Sequence, residues 1–305
     1  MWQTATFDPV TMRRELGWAA DIGLNAIRVF IQYVVWKDDA AGLKQRFNTL
    51  LDMAGAMGMS VMPVLFDDCV FGWPHQLDPF LGPQREPVPG MILPSWTPSP
   101  GRLLGASLEE RPRLKQYVQD FVSTYRGAEA ILAWDLFNEP LDATGVGTPE
   151  FLSQAFDWAR EAGNTQPLTV CFHIPDSPNN GVIFDKSDVI SFHGYLPLDK
   201  LRARIAMLKG FGRPVICTEW MARSLGGNYE TDLPLFKTEG VDCFQWGLVN
   251  GRTQCQYDWR SLPGGEADSV NGWFHDIFHP DGTPYRKREI DAIRAATERR
   301  PQASA

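Results

Sequence analysis

The sequence predicts an α/β fold in which parallel strands alternate with helices, most simply a (β/α)8 or TIM barrel. Short, almost continuously apolar runs recur along the chain, and an amphipathic segment of helical period follows most of them. Such strands are typical of a parallel sheet covered by helices. The competing prediction is a doubly wound open sheet. It is weakened because no Gly-x-Gly-x-x-Gly turn follows the first apolar run.

The elements are predicted from local signals in chain order. Asp8-Pro9 is typical of a helix start, with an N-cap followed by proline at the first helical position. Apolar side chains at helical spacing predict the other helices, and compact apolar runs predict the strands. The predicted strands are 24–31, 60–66, 130–139, 168–173, 188–193, 214–219 and 241–247. Helices are predicted over 9–22, 40–57, 114–125, 148–159, 198–209 and 229–239, and from about 286 onward.

Two long segments interrupt this alternation, 67–107 and 250–285. Structureless segments of this length inside a compact domain are usually functional, so we expect them to lie over the mouth of the barrel. No linker or low-complexity tract divides the chain, and residues 1–305 are expected to form one domain. Only eight residues precede the first predicted helix, and they do not resemble a buried strand. The barrel is therefore expected to lack a clear first strand. Either the sequence begins late, or the N-terminal residues take the place of that strand in another conformation.

Composition narrows the class of protein. The 305 residues carry a net charge of -8 and are 44% hydrophobic. This charge disfavours a nucleic-acid partner, and the absence of an 18-residue apolar run disfavours a membrane span. No leader peptide is visible as the sequence is written, so a cytoplasmic location is expected, or a secreted or periplasmic one if an N-terminal segment is missing. Five cysteines without paired spacing are expected to be free thiols.

Two glutamates close buried runs eighty residues apart. Glu139 follows the run 130–137 and Asn138, and Glu219 ends the run 214–218. Because parallel strands of a barrel end at one face, we expect both carboxyl groups in one pocket. Such a pair supplies the acid and the nucleophile that retaining glycoside hydrolysis needs. The charge of Glu219 should raise the pKa of Glu139, which must be protonated to act as the acid.

These residues resemble clan A of the glycoside hydrolases, and within it the family 5 cellulases and mannanases. The resemblance covers about residues 9–250. It implies that Glu139 is the acid/base and Glu219 the nucleophile of a retaining β-glycoside hydrolase. It also implies that the chain acts on β-linked oligo- or polysaccharides through a covalent glycosyl-enzyme, without a cofactor or metal. Family 5 has further strand-end residues that match Arg28, Asn138, His193, Tyr195 and Trp246 here, which the resemblance assigns to sugar binding. Among them, Arg28 and Tyr195 are expected to keep Glu219 ionised, and His193 is expected to steady Glu139 or a sugar hydroxyl.

The chain departs from the family 5 pattern near the end of the third barrel strand. The family usually has a histidine there, whereas this chain has Asp67-Asp68. The two acids either bind sugar hydroxyls or cap the following loop. Trp73 and Trp96, in the long segment after them, are expected to contact sugar.

Alternatives of other classes remain at this stage. A transglycosidase could use the same carboxylates with sugar acceptors, and an incomplete barrel could bind carbohydrate without cleaving it. A metal-dependent hydrolase is the third, disfavoured because the strand ends lack a His-x-His pair. The sugar, the linkage, endo or exo action and the oligomeric state do not follow from the sequence.

Overall fold

The computed structural model describes residues 1–69, 78–84, 86–94, 96–141, 146–260 and 272–298. Strands and helices alternate through most of this part of the chain. The strands are β1 (Ala26–Phe30), β2 (Ser60–Asp67), β3 (Trp134–Asn138), β4 (Leu168–Thr169), β5 (Ile190–His193), β6 (Val215–Trp220) and β7 (Asp242–Gln245). The helices are α1 (Pro9–Asp21), α2 (Tyr33–Ala56), α3 (Arg102–Gly105), α4 (Arg111–Thr124), α5 (Pro149–Glu161), α6 (Asn180–Lys186), α7 (Leu198–Lys209), α8 (Tyr229–Glu239) and α9 (Lys287–Thr297).

All of the strand pairs are parallel and follow chain order. Hydrogen bonds join β1-β2-β3-β4 into one sheet and β5-β6-β7 into a second. The two sheets are continuous, because the backbone of Phe172, just after β4, exchanges hydrogen bonds with Ser191 and His193 of β5. Parallel order with helical crossovers brings the carboxyl ends of the strands to one face, where barrel enzymes carry their sites.

Several helix boundaries follow directly from the sequence. The Asp8 side chain accepts hydrogen bonds from the backbone of Val10 and Thr11, which confirms the predicted cap of α1. Thr148 caps α5 in the same manner through Phe151 N–H. Helix α2 begins at Tyr33, earlier than predicted, and contains a kink at Asp39. The seven-residue helix α6 was not predicted.

The core lies between the strands and the surrounding helices and is rich in aromatic rings. Phe66 of β2 and Phe137 of β3 pack against Phe151 of α5, and Phe66 also contacts Tyr117 of α4. All four side chains are fully buried. This packing fixes the ends of β2 and β3, from which much of the candidate site projects.

The sheet does not close between β1 and β7. In the described part of the chain β1 pairs only with β2, and β7 pairs only with β6. Every residue of β1 is half-buried, whereas β3 and β6 are buried throughout. A cavity of about 420 Å³, lined in part by Leu16 and Ala19 of α1, lies beside these two strands.

The segment before α1 does not fill this opening as a strand. It forms one 3-10 turn, Thr4–Thr6, and the Trp2 side chain packs on Phe47 while its Nε1 donates to Phe30 O at 2.5 Å. The prediction of a (β/α)8 barrel without a clear first strand is therefore confirmed. None of the helices among the described residues has the length and apolar character needed to span a bilayer.

Candidate active site

The two predicted carboxylates meet at the carboxyl ends of the strands. Glu139 directly follows β3, and Glu219 is the penultimate residue of β6. One carboxylate oxygen of each, together with a ring nitrogen of His193, lie within 4.8 Å of one another. The parallel register of β5 and β6 pairs His193 with Glu219 directly, after an irregularity between Phe192 and His193. The sequence prediction that Glu139 and Glu219 share one pocket agrees with this geometry.

The backbone of Glu139 turns sharply as it leaves β3. Its φ angle is 41°, in the left-handed region that residues other than glycine seldom adopt. Its N–H donates to Cys171 Sγ at 3.1 Å. Strained backbone of this kind persists only where the surrounding structure enforces it, and it is common at functional sites. Here the turn accompanies the approach of the Glu139 carboxylate to His193.

Glu219 is held by a cation and a hydroxyl. Arg28 of β1 donates from Nη1 to Glu219 Oε1 at 2.7 Å, and Tyr195 donates its hydroxyl hydrogen to Oε2 at 2.9 Å. The side chains of Arg28 and Glu219 are 4% and 9% exposed, so this ion pair is screened little by water. Both oxygens of Glu219 therefore accept hydrogen bonds from buried donors, one of them a cation.

Glu139 has different partners. His193 Nδ1 lies 2.7 Å from Oε1, and the Cys69 thiol donates to Oε2 at 3.0 Å. Burial raises the pKa of Glu139, but the hydrogen bond and positive charge of His193 outweigh burial and lower the pKa below its usual value. The pKa of His193 is correspondingly high: burial lowers it, while the negative charges of Cys171 and Glu219 raise it well above the usual range.

The prediction that Glu219 raises the pKa of Glu139 was therefore wrong for the substrate-free site. The prediction included the charge of the neighbouring carboxylate but not the charge of the imidazole that lies between the two acids. His193 Nδ1 also lies 3.4 Å from Glu219 Oε2, so the ring faces both acids. The contact between Glu139 and His193 therefore lowers the pKa of the carboxyl group and raises the pKa of the imidazole.

Arg28 connects Glu219 to β3. Its Nε and Nη2 both donate to Asp135 Oδ2, at 3.0 and 2.7 Å, and Nη2 also donates to Asn138 Oδ1 at 2.7 Å. Asp135 is completely buried. Burial raises the pKa of Asp135, while Arg28 opposes that effect. Because Arg28 donates a hydrogen bond to Asn138 Oδ1, the amide nitrogen of Asn138 points away from Arg28.

Asp67 and Asp68 bind neighbouring protein groups in this structure. Asp67 Oδ1 accepts from Asn138 Nδ2 at 2.8 Å, and Oδ2 accepts from Trp96 Nε1 at 2.7 Å. Asp68 Oδ2 accepts from the backbone of Leu141 at 3.2 Å, in the loop after β3. The sequence left two roles open for these acids, sugar binding and loop capping. The contact of Asp68 with the backbone of Leu141 is a loop-capping contact, and Asp67 accepts hydrogen bonds from Asn138 and Trp96.

A cavity of about 180 Å³ lies over the two carboxylates. Trp246, which directly follows β7, Trp96 and Trp259 contribute aromatic walls. Trp259 contacts Tyr195 edge to face with ring centroids 4.8 Å apart. Trp73, also predicted to bind sugar, lies outside the described residues. The complete lining is Cys69, Trp96, Asn138, Glu139, Tyr195, Glu219, Trp246 and Trp259.

Sequence reasoning missed four members of this site. Asp135 precedes Glu139 by four residues in the same run and is an acid inside an apolar strand, a signal that could have marked it as the partner of Arg28. Cys69 and Cys171 were predicted only to be free thiols. Trp259 lies in the irregular segment 250–285, where no periodicity assigns a direction to a side chain.

Glu139, His193 and Glu219 are also the one group among the described residues whose spacing could hold a metal ion. The chemistry of the surroundings argues against that use. Arg28 already places a buried positive charge 2.7 Å from Glu219 Oε1, and a second cation beside it would be repelled. We therefore assign no metal to this cluster.

Comparison with solved structures places this fold among glycoside hydrolase barrels. An endo-β-1,4-mannanase from Thermotoga petrophila superimposes with a TM-score of 0.60 and 15% identity, covering 95% of this chain and 73% of that one. A glycoside hydrolase family 5 mannosidase from Rhizomucor miehei gives 0.59 and 13%, covering 94% and 86%. A β-glucuronidase from Bacteroides uniformis gives 0.62 and 15%, but this chain spans only 33% of its length.

These likenesses confirm the barrel fold expected from the resemblance to family 5. The sequence itself gives no further support, since no family model and no curated protein sequence matches it.

Proposed function

We propose that this protein is a retaining β-glycoside hydrolase in which Glu219 is the nucleophile and Glu139 the acid/base. The observation that carries the proposal is the placement of two carboxylate oxygens within 4.8 Å of each other, with different partners on each. Retaining enzymes place the two carboxyl groups about 5–5.5 Å apart, and inverting enzymes roughly 6.5–9.5 Å apart to admit a water. The short separation favours retention.

The partners favour the assignment of roles. Arg28 and Tyr195 stabilise negative charge on Glu219, which then attacks the anomeric carbon and forms the glycosyl-enzyme. Glu139 protonates the departing oxygen. Its proton comes from His193 Nδ1, 2.7 Å away, so Glu139 and His193 act as one proton store. In the second step Glu139 removes a proton from water, which attacks the anomeric carbon and releases Glu219.

The cavity supports recognition of one sugar ring beside the carboxylates. Its volume of about 180 Å³ is below the roughly 300–1,000 Å³ typical of sites for drug-sized ligands. Indole rings such as Trp246 offer flat apolar faces to the C–H groups of a pyranose, and Asn138 also lines the cavity. This favours exo-action or short substrates. Because the fold neighbours are described as acting on β-mannosides, β-glucosides and β-glucuronides, aryl glycosides of these three sugars are the first to test.

Variants of the two glutamates test the assignment. Glu219→Gln should abolish turnover of every aryl glycoside. Glu139→Ala should lose roughly 10²–10⁴-fold on substrates with poor leaving groups, the range of general acid catalysis, and much less on dinitrophenyl glycosides. Added azide should accelerate the Glu139→Ala variant and yield a β-glycosyl azide, detected by NMR.

Other experimental outcomes would favour a different function for this protein. Equal losses of activity for both variants on all substrates, without an azide product, would contradict the roles assigned to Glu139 and Glu219. Binding of oligosaccharides without turnover by the unaltered protein would favour a carbohydrate-binding barrel. Transfer to an added sugar acceptor in preference to water would favour a transglycosidase.

A further inference from the structure

A thiol lies at the centre of the candidate site, although the proposed chemistry does not use it. Cys69 follows β2 by two residues and lines the cavity that holds Glu139 and Glu219. Its Sγ lies 3.0 Å from Glu139 Oε2 and accepts a hydrogen bond from Asn138 Nδ2 at 3.3 Å. Of the five cysteines, it is the one that lines this cavity.

The surrounding hydrogen bonds determine where the thiol proton points. Arg28 has only donors and occupies Asn138 Oδ1, so the side of Asn138 that faces Cys69 is the NH₂ group, also a donor. The acceptor within reach of the thiol hydrogen is therefore Glu139 Oε2. Burial also raises the pKa of Cys69 well above its usual value, which keeps the sulfur protonated and able to donate.

The two oxygens of Glu139 thus have separate partners, His193 on Oε1 and Cys69 on Oε2. A thiol is a weaker donor than a hydroxyl or an amide. It can fix the direction of the carboxylate while stabilising the ionised form only slightly. That balance suits an acid/base residue, because Glu139 has to alternate between protonated and ionised states during each turnover.

We propose that Cys69 is a positioning residue for Glu139, orienting its carboxylate through the S–H···Oε2 hydrogen bond and limiting how strongly the ionised form is favoured. This inference rests on the proposed function only for its catalytic consequence. The hydrogen bond itself can be tested without any substrate.

The test is a ¹³C NMR titration of the Glu139 side-chain carboxyl in the full chain, assigned with Glu139→Gln. Cys69→Ala removes the donor, so the ionised form is less stable and the titration should move up by about 0.5–1 pH unit. Cys69→Ser supplies a stronger donor and should move it down by a similar amount. The other titratable groups around Glu139 are unchanged in both variants: His193, His173, Cys171, Asp67, Tyr195 and Glu219.

Opposite shifts for alanine and serine are the signature of a hydrogen bond, because a packing effect has no reason to change sign between them. Cys243→Ala, a half-buried thiol that lines other cavities, is the matched control and should leave the titration in place. Shifts in the same direction, or shifts below about 0.2 unit in both variants, would overturn the proposal. If Cys69→Ala fails to fold, the downward shift of Cys69→Ser decides alone.

Kinetics then separates this inference from the proposed function. Cys69→Ala should lower kcat about tenfold on aryl glycosides with poor leaving groups, leave KM within twofold, and spare dinitrophenyl glycosides. If the unaltered protein cleaves no glycoside, the proposed function fails while the titration result stands. If it cleaves glycosides but the titration does not move, the role of Cys69 fails alone.

Discussion

At the scale of single residues, Arg28 is the group on which the site most depends. Its guanidinium binds Asp135, Asn138 and Glu219 at once, and it is almost completely buried. Burial lowers the pKa of Arg28, but Asp135 and Glu219 outweigh that effect and raise it, so Arg28 remains a cation. The planar fork of five donors suits this triple contact, which an ammonium group cannot reproduce.

We predict that Arg28→Met destabilises the protein by about 3–5 kcal/mol, because it leaves the buried Asp135 carboxylate without a partner. The measurement is urea unfolding followed by fluorescence. Activity should also fall at least 10²-fold, since Glu219 loses its cation. Adding Asp135→Asn to the same chain removes the orphaned charge and should restore much of the stability while activity stays low. A double variant as unstable as Arg28→Met would refute this explanation of the loss.

Residue types alone predicted part of this site. Strand ends can be recognised in the sequence because apolar runs stop there, which is why Glu139 and Glu219 could be assigned together. Arg28 and Tyr195 were assigned only through the resemblance to family 5. The role of His193 was only partly predicted: its contact with Glu139 was expected, but the high pKa of its imidazole was not. That pKa depends on burial and on distances set by the register of β5 and β6, and neither can be predicted from a linear pattern.

At the scale of elements, β1 is the strand with an unusual environment. The hydrogen bonds from Ser60 N to Asn25 O and from Ile31 N to Val64 O show that the backbone groups of odd-numbered positions face β2. Since alternate residues of a parallel strand direct their backbone groups to opposite neighbours, Ala26, Arg28 and Phe30 face the cavity next to β7. The Phe30 carbonyl accepts a hydrogen bond there from Trp2 Nε1 rather than from a strand.

We therefore predict an alternating pattern of hydrogen exchange along β1. The amides of Ala26, Arg28 and Phe30 should exchange at least tenfold faster than those of Ile27 and Val29, because no neighbouring strand protects them. Residue-resolved exchange measured by NMR checks this. The central strand β3, which has neighbours on both sides, is the internal control and should show no alternation. Uniform protection along β1 would mean that its outer edge is covered in solution.

At the scale of the whole molecule, the described strands assemble one site although they do not form a closed ring. The groups around the two carboxylates lie on or just after β1, β2, β3, β5 and β6, and Trp246 follows β7. The opening lies between β1 and β7, so its principal effect on the site is through Arg28 and Trp246, which also line the neighbouring cavity. The backbone N–H and C=O groups along an unpaired strand edge can form hydrogen bonds with a strand of another chain.

Much of this architecture was predictable because buried parallel strands are nearly continuous apolar runs. The short segment before the first predicted helix led to the prediction that a clear first strand is lacking, and the described strands agree with it. The short helix α6 and the start of α2 at Tyr33 were not predicted. Seven residues are too few for a periodic signal, and the kink at Asp39 interrupts the pattern of α2. The wall formed by Trp259 depends on tertiary packing of an irregular segment.

The central claim is that Glu219 forms a covalent bond to the sugar during turnover. The most direct measurement is mass spectrometry after incubation with 2-deoxy-2-fluoro-β-glycosyl fluorides of mannose, glucose and glucuronic acid. Fluorine at C2 slows both steps by destabilising the oxocarbenium-like transition state, while the fluoride leaving group lets the first step proceed, so the intermediate accumulates. We predict that the sugar yielding turnover of its aryl glycoside adds one fluoroglycosyl unit, located on Glu219 after proteolysis. Turnover of an aryl glycoside with no label, or with the label on another residue, would contradict the account.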